Sequence, residues 1–163
     1  MLTRTAAALA AFIAFVGPAY AHDFMVGTIK IDHPWSRPTP PSAPVASGYI
    51  KLKNAGTETD RLVRVTSPIA ERAEIHRSLI ENGVASMRPV EGGLPVEPGA
   101  TVDFELEKLH IMFIAPDRQL KDGEKFPAML VFENAGAIEV DFVVQRKAGE
   151  AATEDHSGHG DSN

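Results

Sequence analysis

The 163-residue sequence contains no cysteine. Without a cysteine thiolate the chain cannot form a blue-copper centre, and without a cysteine pair it cannot form an internal disulfide. Its stability must therefore come from an ordinary hydrophobic core. A chain of this length is long enough to bury such a core within a single domain.

Long hydrophobic runs are missing as well. The apolar run of residues 6–16 is too short to cross about 30 Å of hydrocarbon as a helix. It follows Arg4, is broken by Gly17-Pro18, and leads to Ala19-Tyr20-Ala21, which fits the small-x-small pattern of signal-peptidase cleavage. We therefore predict a signal peptide over residues 1–21, export of a mature protein that begins at His22, and no stable membrane insertion.

Positive charge is scarce in the predicted mature chain. Loss of Arg4 with the signal peptide changes the formal net charge from −6 to −7, and an acidic protein is a poor partner for nucleic acid or anionic lipid. Residues 148–163 contain four acidic residues, His156 and His159, but no lysine or arginine. We interpret them as a flexible acidic tail that follows a folded domain over residues 22–147.

Helical periodicity is also lacking, whereas short alternating runs separated by glycine, proline and asparagine recur. This pattern predicts an all-β sandwich or small barrel of about nine short strands. The predicted strands cover residues 26–32, 47–54, 61–66, 72–78, 84–89, 101–106, 109–114, 125–133 and 137–145. The proline-rich residues 33–41 have too few backbone donors for a central strand and are predicted to form an ordered crossing loop.

One predicted strand carries a histidine and a methionine two positions apart, in Leu109-His110-Ile111-Met112-Phe113. Successive side chains of a strand point to opposite faces. Leu109, Ile111 and Phe113 should therefore enter the core, and His110 and Met112 should project together from the other face. A nitrogen and a sulfur ligand are then available to one small ion.

A second such pair depends on the turn at Asn82-Gly83, which favours a two-residue type I′ hairpin loop. With Glu81 opposite Val84, paired residue numbers sum to 165, so Met87 lies opposite Ser78. His76 is then the diagonal neighbour of Met87 on the same face of the sheet.

Two imidazoles and two thioethers suit a soft or borderline cation, and they favour Cu(I). Zinc usually takes cysteine, histidine and carboxylates, and calcium and magnesium take oxygen ligands. A lone histidine or methionine on a strand is more often packed or solvated than bound to metal. From spacing alone, packing and metal binding both remain open for these pairs.

The same residues resemble the periplasmic PCuAC copper chaperones, which serve the CuA centre of cytochrome c oxidase. The family signature is a histidine, ten residues, a methionine, some twenty-two residues and His-x-Met, which here is His76, Met87, and His110-Ile111-Met112. Residues 31–38, 44–49 and 87–94 are also similar to the family. The chain departs from many relatives at Arg77-Ser78, where they have methionine or glutamate, and before His110, where they have a glycine-rich turn.

The resemblance implies a cupredoxin-like Greek-key fold and a Cu(I) site formed by His76, Met87, His110 and Met112. It also implies delivery of copper to the CuA site of oxidase subunit II, to a Sco-type thiol copper protein, or to both. His22, with its predicted free amine, and His156 and His159 in the tail are weaker candidates for Cu(II).

Other functions stay open at this point. Nothing in the sequence resembles a nucleophile with a matched base, a phosphate-binding loop or a carboxylate pair spaced for acid–base catalysis, so we expect a carrier and not an enzyme. The alternatives are a copper-tolerance or sequestration protein, an oxidative copper enzyme that uses His22, and a copper-independent adhesion or assembly module.

Overall fold

The computed structural model describes residues 23–81, 84–105 and 108–146. None of these residues forms a helix, and eleven strands account for most of them. The strands are β1 (Asp23–Val26), β2 (Ile29–Ser36), β3 (Val45–Asn54), β4 (Asp60–Thr66), β5 (Ala70–Glu81), β6 (Val84–Pro89), β7 (Leu94–Val96), β8 (Thr101–Asp103), β9 (Leu109–Pro116), β10 (Lys125–Phe132) and β11 (Gly136–Val144). The all-β prediction is confirmed.

All eleven strands belong to one curled sheet with the order β6-β5-β9-β3-β2-β11-β10-β4-β7, to which β1 adds on β2 and β8 on β3. Most neighbours are antiparallel, but β11 runs parallel to β2. Strands that are distant in sequence, such as β5 and β9, lie side by side. At one end of this order are β6, β5 and β9, which carry the predicted metal ligands.

The concave side of the curl holds the core. Leu109, Ile111 and Phe113 are 6%, 0% and 0% exposed, so the predicted inward face of β9 is confirmed. The ring of Phe113 meets those of Phe126 and Phe142 edge-on, at centroid distances of 5.2 and 5.5 Å.

Gly48 on β3 lets this aromatic cluster approach the backbone. A Cβ atom at position 48 would lie 2.7 Å from a ring carbon of Phe113 and 2.9 Å from one of Phe142, closer than carbon atoms pack. Because Gly48 also lies opposite Ile111, this close packing supports the strand that carries His110 and Met112.

The prediction was wrong about the beginning of the domain. The predicted strand 26–32 is two strands, β1 and β2, joined by a turn in which Gly27 has a φ of 55°. Residues 33–36, assigned to a crossing loop, instead continue β2. A shift in register between Asp32 and Trp35, with His33 at a φ of 49°, accommodates Pro34, which has no amide hydrogen to donate to a ladder.

Two smaller differences from the predicted strands are present. Leu94–Val96 forms an additional strand that pairs with β4, and β8 ends at Asp103 instead of extending to residue 106. Of the methionines outside the predicted site, Met25 is 65% exposed and Met129 is half-buried. In the described part of the chain, no helix is long and apolar enough to cross a membrane.

Candidate metal centre

Pairing of β5 with β9 brings the two predicted halves of the site together. The two strands are antiparallel, with His76 directly opposite His110 and Glu74 directly opposite Met112. Residues that face each other across neighbouring strands share one face of the sheet. His76, His110, Met112 and Glu74 therefore project from the same face, opposite the core.

The hairpin between β5 and β6 adds Met87 to this face. Ser78 lies opposite Met87, and Glu81 opposite Val84, so the register predicted from the Asn-Gly turn is confirmed. His76 lies opposite Pro89, which makes Met87 its diagonal neighbour two positions along β6. Residues 82 and 83 of the turn itself lie outside the described residues.

The four predicted ligands differ in exposure. His110 is 5% exposed, and the side chain of His76 is 13% exposed. Met112 is half-buried, whereas Met87, on the outermost strand, is 59% exposed. The imidazoles are thus largely withdrawn from water, and one thioether is freely accessible from solution.

The two imidazole rings are close enough to act on one ion. Their centroids are 6.1 Å apart, with an interplanar angle of 44°. The Nδ1 atoms of His76 and His110 are both buried and have no hydrogen-bond partner. A buried polar atom without a partner destabilises the folded state by about 1–3 kcal/mol, and a metal ion supplied from solution is a partner that relieves this penalty.

Burial, together with the nearby His76, lowers the pKa of His110. An uncharged imidazole is therefore favoured at position 110, and this is the form that binds metals. The lowered pKa of His110 and its unpartnered Nδ1 atom would both suit a metal ligand.

Glu74 belongs to the same cluster, and the sequence interpretation missed it. Its Oε2 atom is 2.8 Å from Nε2 of His76, and its Oε1 atom accepts a hydrogen bond from Nε of Arg72 at 2.9 Å. The contact with His76 has the largest effect in lowering the pKa of Glu74, and the hydrogen bond from Arg72 lowers it further. Alternation along the strand places residues 72, 74 and 76 on one face, but this pattern alone does not distinguish Glu74 from other glutamates on strands.

The assignment of these residues as metal ligands stays a prediction: His76, Met87, His110 and Met112. Within the described residues there is no cluster of three or more histidine, cysteine, aspartate or glutamate side chains suited to a metal. This result fits a site in which half of the donors are thioethers.

The weaker candidates His22, His156 and His159 lie outside the described residues. His33, the remaining histidine, is exposed and has its Nε2 atom 2.8 Å from Nε2 of Gln145. It lies on β2, and β3 and β9 separate that strand from β5.

Comparison with known proteins identifies the family. Residues 29–144 match the family model described as "Putative lipoprotein LpqE-like". The chain belongs to the LpqE-like family. A curated relative named "Putative lipoprotein Lxx21020", from Leifsonia xyli subsp. xyli, is 25% identical over 114 residues, which are 70% of this chain and 68% of that protein.

Solved structures similar to this LpqE-like protein include PCuAC domains. The copper-bound PCuAC domain from PmoF2 is 25% identical and has a TM-score of 0.67, with 77% of this chain and 99% of that chain covered. The CuI-DR1885 structure from Deinococcus radiodurans is 22% identical and has a TM-score of 0.60, with 80% and 85% covered. The predicted PCuAC resemblance and the cupredoxin-like fold class are confirmed.

Proposed function

We propose that this protein is an extracytoplasmic copper carrier that binds Cu(I) through His76, Met87, His110 and Met112. One observation carries the proposal: His76 and His110 face each other across β5 and β9, and each has a buried Nδ1 atom without a partner. The likeness to a copper-bound PCuAC domain supports copper as the ion, and the lipoprotein name of a relative supports a place outside the cytoplasm.

The two thioethers and two imidazoles of the proposed site support Cu(I) as the oxidation state of the bound copper. Neutral thioether sulfur prefers Cu(I), and imidazole binds both soft and borderline ions. The acidic net charge of −6 further favours a cationic cargo. Copper is the cargo here and is not consumed, so the proposed protein is a carrier and not an enzyme.

We further propose that the recipient is the CuA site of cytochrome c oxidase subunit II, directly or through a Sco-type thiol protein. The PCuAC resemblance supports this assignment. Thioethers hold Cu(I) less firmly than thiolates do, so the thiolates of either acceptor can replace them one at a time. Copper then moves down a gradient of affinity without a separate energy source.

The binding proposal is tested by Cu(I) titration of the exported protein against a competing chelator. His110→Ala and Met112→Ala should each bind Cu(I) at least about tenfold more weakly than the wild type, a change of about 1.4 kcal/mol. Met25→Ala is the control, because Met25 is an exposed methionine on β1, a strand that carries none of the four predicted ligands. Equal affinity in all four proteins would refute the ligand assignment.

The delivery proposal needs a separate experiment. The Cu(I)-loaded protein is mixed with a copper-free CuA domain, and appearance of the CuA absorption after oxidation reports transfer. Retention of copper by the donor, together with copper sensitivity and normal oxidase activity in a deletion strain, would instead identify a copper-tolerance protein.

A further inference from the structure

Arg72, Glu74 and His76 form a hydrogen-bonded series along one face of β5. We propose that Glu74 is a positioning residue: it holds Nε2 of His76 and so makes Nδ1 the copper-binding atom of that ring. This inference rests on the proposed function, and it adds the identity of the ligating atom and the group that selects it.

The tautomer follows from the chemistry of the partners. A carboxylate has no proton to donate and only accepts hydrogen bonds. The contact of 2.8 Å between Glu74 and His76 therefore requires the ring proton to be on Nε2. A neutral imidazole carries one such proton, so the lone pair is left on Nδ1, the atom that is buried and without a partner.

Glu74 is itself held in place. Arg72 donates a hydrogen bond from Nε to Oε1 of Glu74 at 2.9 Å, while the second carboxylate oxygen faces His76. Both oxygens of one carboxylate are thus engaged, which fixes its plane and with it the plane of the imidazole. A carboxylate at the far side of a ligating histidine also makes the other nitrogen more basic, and loss of such a partner typically weakens metal binding by about 10–100-fold.

The opposing strand agrees with this assignment. His110 also has a buried Nδ1 atom without a partner, and it is the direct cross-strand neighbour of His76. The same type of nitrogen is therefore available from both rings. Met112 lies opposite Glu74, so the carboxylate stands beside a predicted thioether ligand as well as behind His76.

The first test uses the copper-free wild-type protein and needs no variant. Nitrogen-15 NMR of the imidazole rings distinguishes a protonated from an unprotonated ring nitrogen. We expect His76 in the Nε2–H form and, after addition of one equivalent of Cu(I), a coordination shift confined to Nδ1. A Nδ1–H form in the copper-free protein, or a coordination shift at Nε2, would overturn the inference.

The second test compares Glu74→Ala, Glu74→Gln and a control, Glu71→Gln. Glu71 is an exposed residue of the same strand and alternates onto the opposite face, so the control removes one negative charge from β5 without removing the partner of His76. We expect Glu74→Ala to bind Cu(I) about 10–100-fold more weakly and to show a mixture of His76 tautomers. Glu74→Gln, which keeps a hydrogen-bonding side chain of equal length, should lose less affinity, and Glu71→Gln should match the wild type.

These outcomes separate the inference from the proposed function. If Glu74→Ala unfolds at the wild-type temperature, binds Cu(I) as the wild type does and keeps the His76 tautomer, the inference fails although the copper site stands. If the wild type does not bind Cu(I), the proposed function fails, and the tautomer of His76 in the copper-free protein still decides whether Glu74 holds the ring.

Discussion

Replacement of His110 by leucine should stabilise the copper-free protein while it removes copper binding. Most substitutions at a buried position destabilise a protein, so the expected sign is unusual and informative. It arises because His110 is 5% exposed and its Nδ1 atom has no partner. The copper-free fold thus contains a desolvated nitrogen for which the interior offers no hydrogen bond.

The expected change in the free energy of unfolding follows from the burial of His110 and from the missing partner of its Nδ1 atom. A buried polar atom without a partner costs about 1–3 kcal/mol, and a change of shape between side chains of similar size costs up to about 1.5 kcal/mol. The net expectation for His110→Leu is a gain of about 1 kcal/mol in the free energy of unfolding. For a domain of this length, that gain raises the Tm by about 2–6 °C.

The assay is chemical and thermal unfolding at pH 8 in the presence of a copper chelator. Burial lowers the pKa of His110, so at this pH both proteins are compared with an uncharged residue at position 110. Ile111→Val is the internal standard, since Ile111 is fully buried on the other face of β9 and the variant should lose about 0.5–1.5 kcal/mol. A loss of stability in His110→Leu equal to or larger than that of Ile111→Val would refute the reasoning, because it would mean that Nδ1 is well satisfied in the copper-free protein.

Three further predictions follow from other parts of the fold. Gly48→Ala should lose about 1–3 kcal/mol of stability, measured by urea unfolding, because the new Cβ atom would lie 2.7 Å from the ring of Phe113; an unchanged midpoint would contradict this packing. Asp60→Ala should lose about 2–4 kcal/mol, seen by calorimetry, because the buried carboxylate of Asp60 accepts hydrogen bonds from the amides of Arg61, Asn134 and Ala135; a loss below 1 kcal/mol would count against it. Met87→Ala should change stability by less than about 0.5 kcal/mol, since the side chain is 59% exposed, yet it should weaken Cu(I) binding in the chelator titration; a large drop in Tm would show that the residue is structural.

Local patterns predicted much of this fold from the sequence. Alternation along residues 109–113 separated the core face from the ligand face, and the Asn-Gly turn gave the register of the β5–β6 hairpin. The assignment of the two faces depends only on neighbours in sequence, and the hairpin register depends only on one tight turn. The split between β1 and β2 at the Gly27 turn was missed. The inclusion of Pro34 in a strand was missed because it depends on a bulge, with His33 at positive φ, and such a bulge has no clear sequence signal.

The site was predicted in two halves, and the sequence could not join them. Pairing of β5 with β9 is a long-range contact across more than thirty residues, which neither alternation nor turn chemistry specifies. The position of His76 opposite His110 therefore came only from the folded chain. Glu74 was missed for a different reason: a single glutamate two positions before a histidine is common on exposed strands, and only the 2.8 Å contact distinguishes this one.

The arrangement of the predicted ligands over three adjacent strands has a kinetic consequence. His110 and His76 lie on the inner strands β9 and β5, whereas Met87 lies on β6 at the end of the sheet. Because Met87 is the most exposed of the four, we expect an incoming thiolate to displace it first, with the imidazoles leaving last. If these residues bind copper as proposed, the departure of Met87 would open the site to the acceptor, while the two histidines would contribute more to how tightly copper is held. A substitution at position 87 can therefore change the speed of metal exchange with a smaller change in the equilibrium constant.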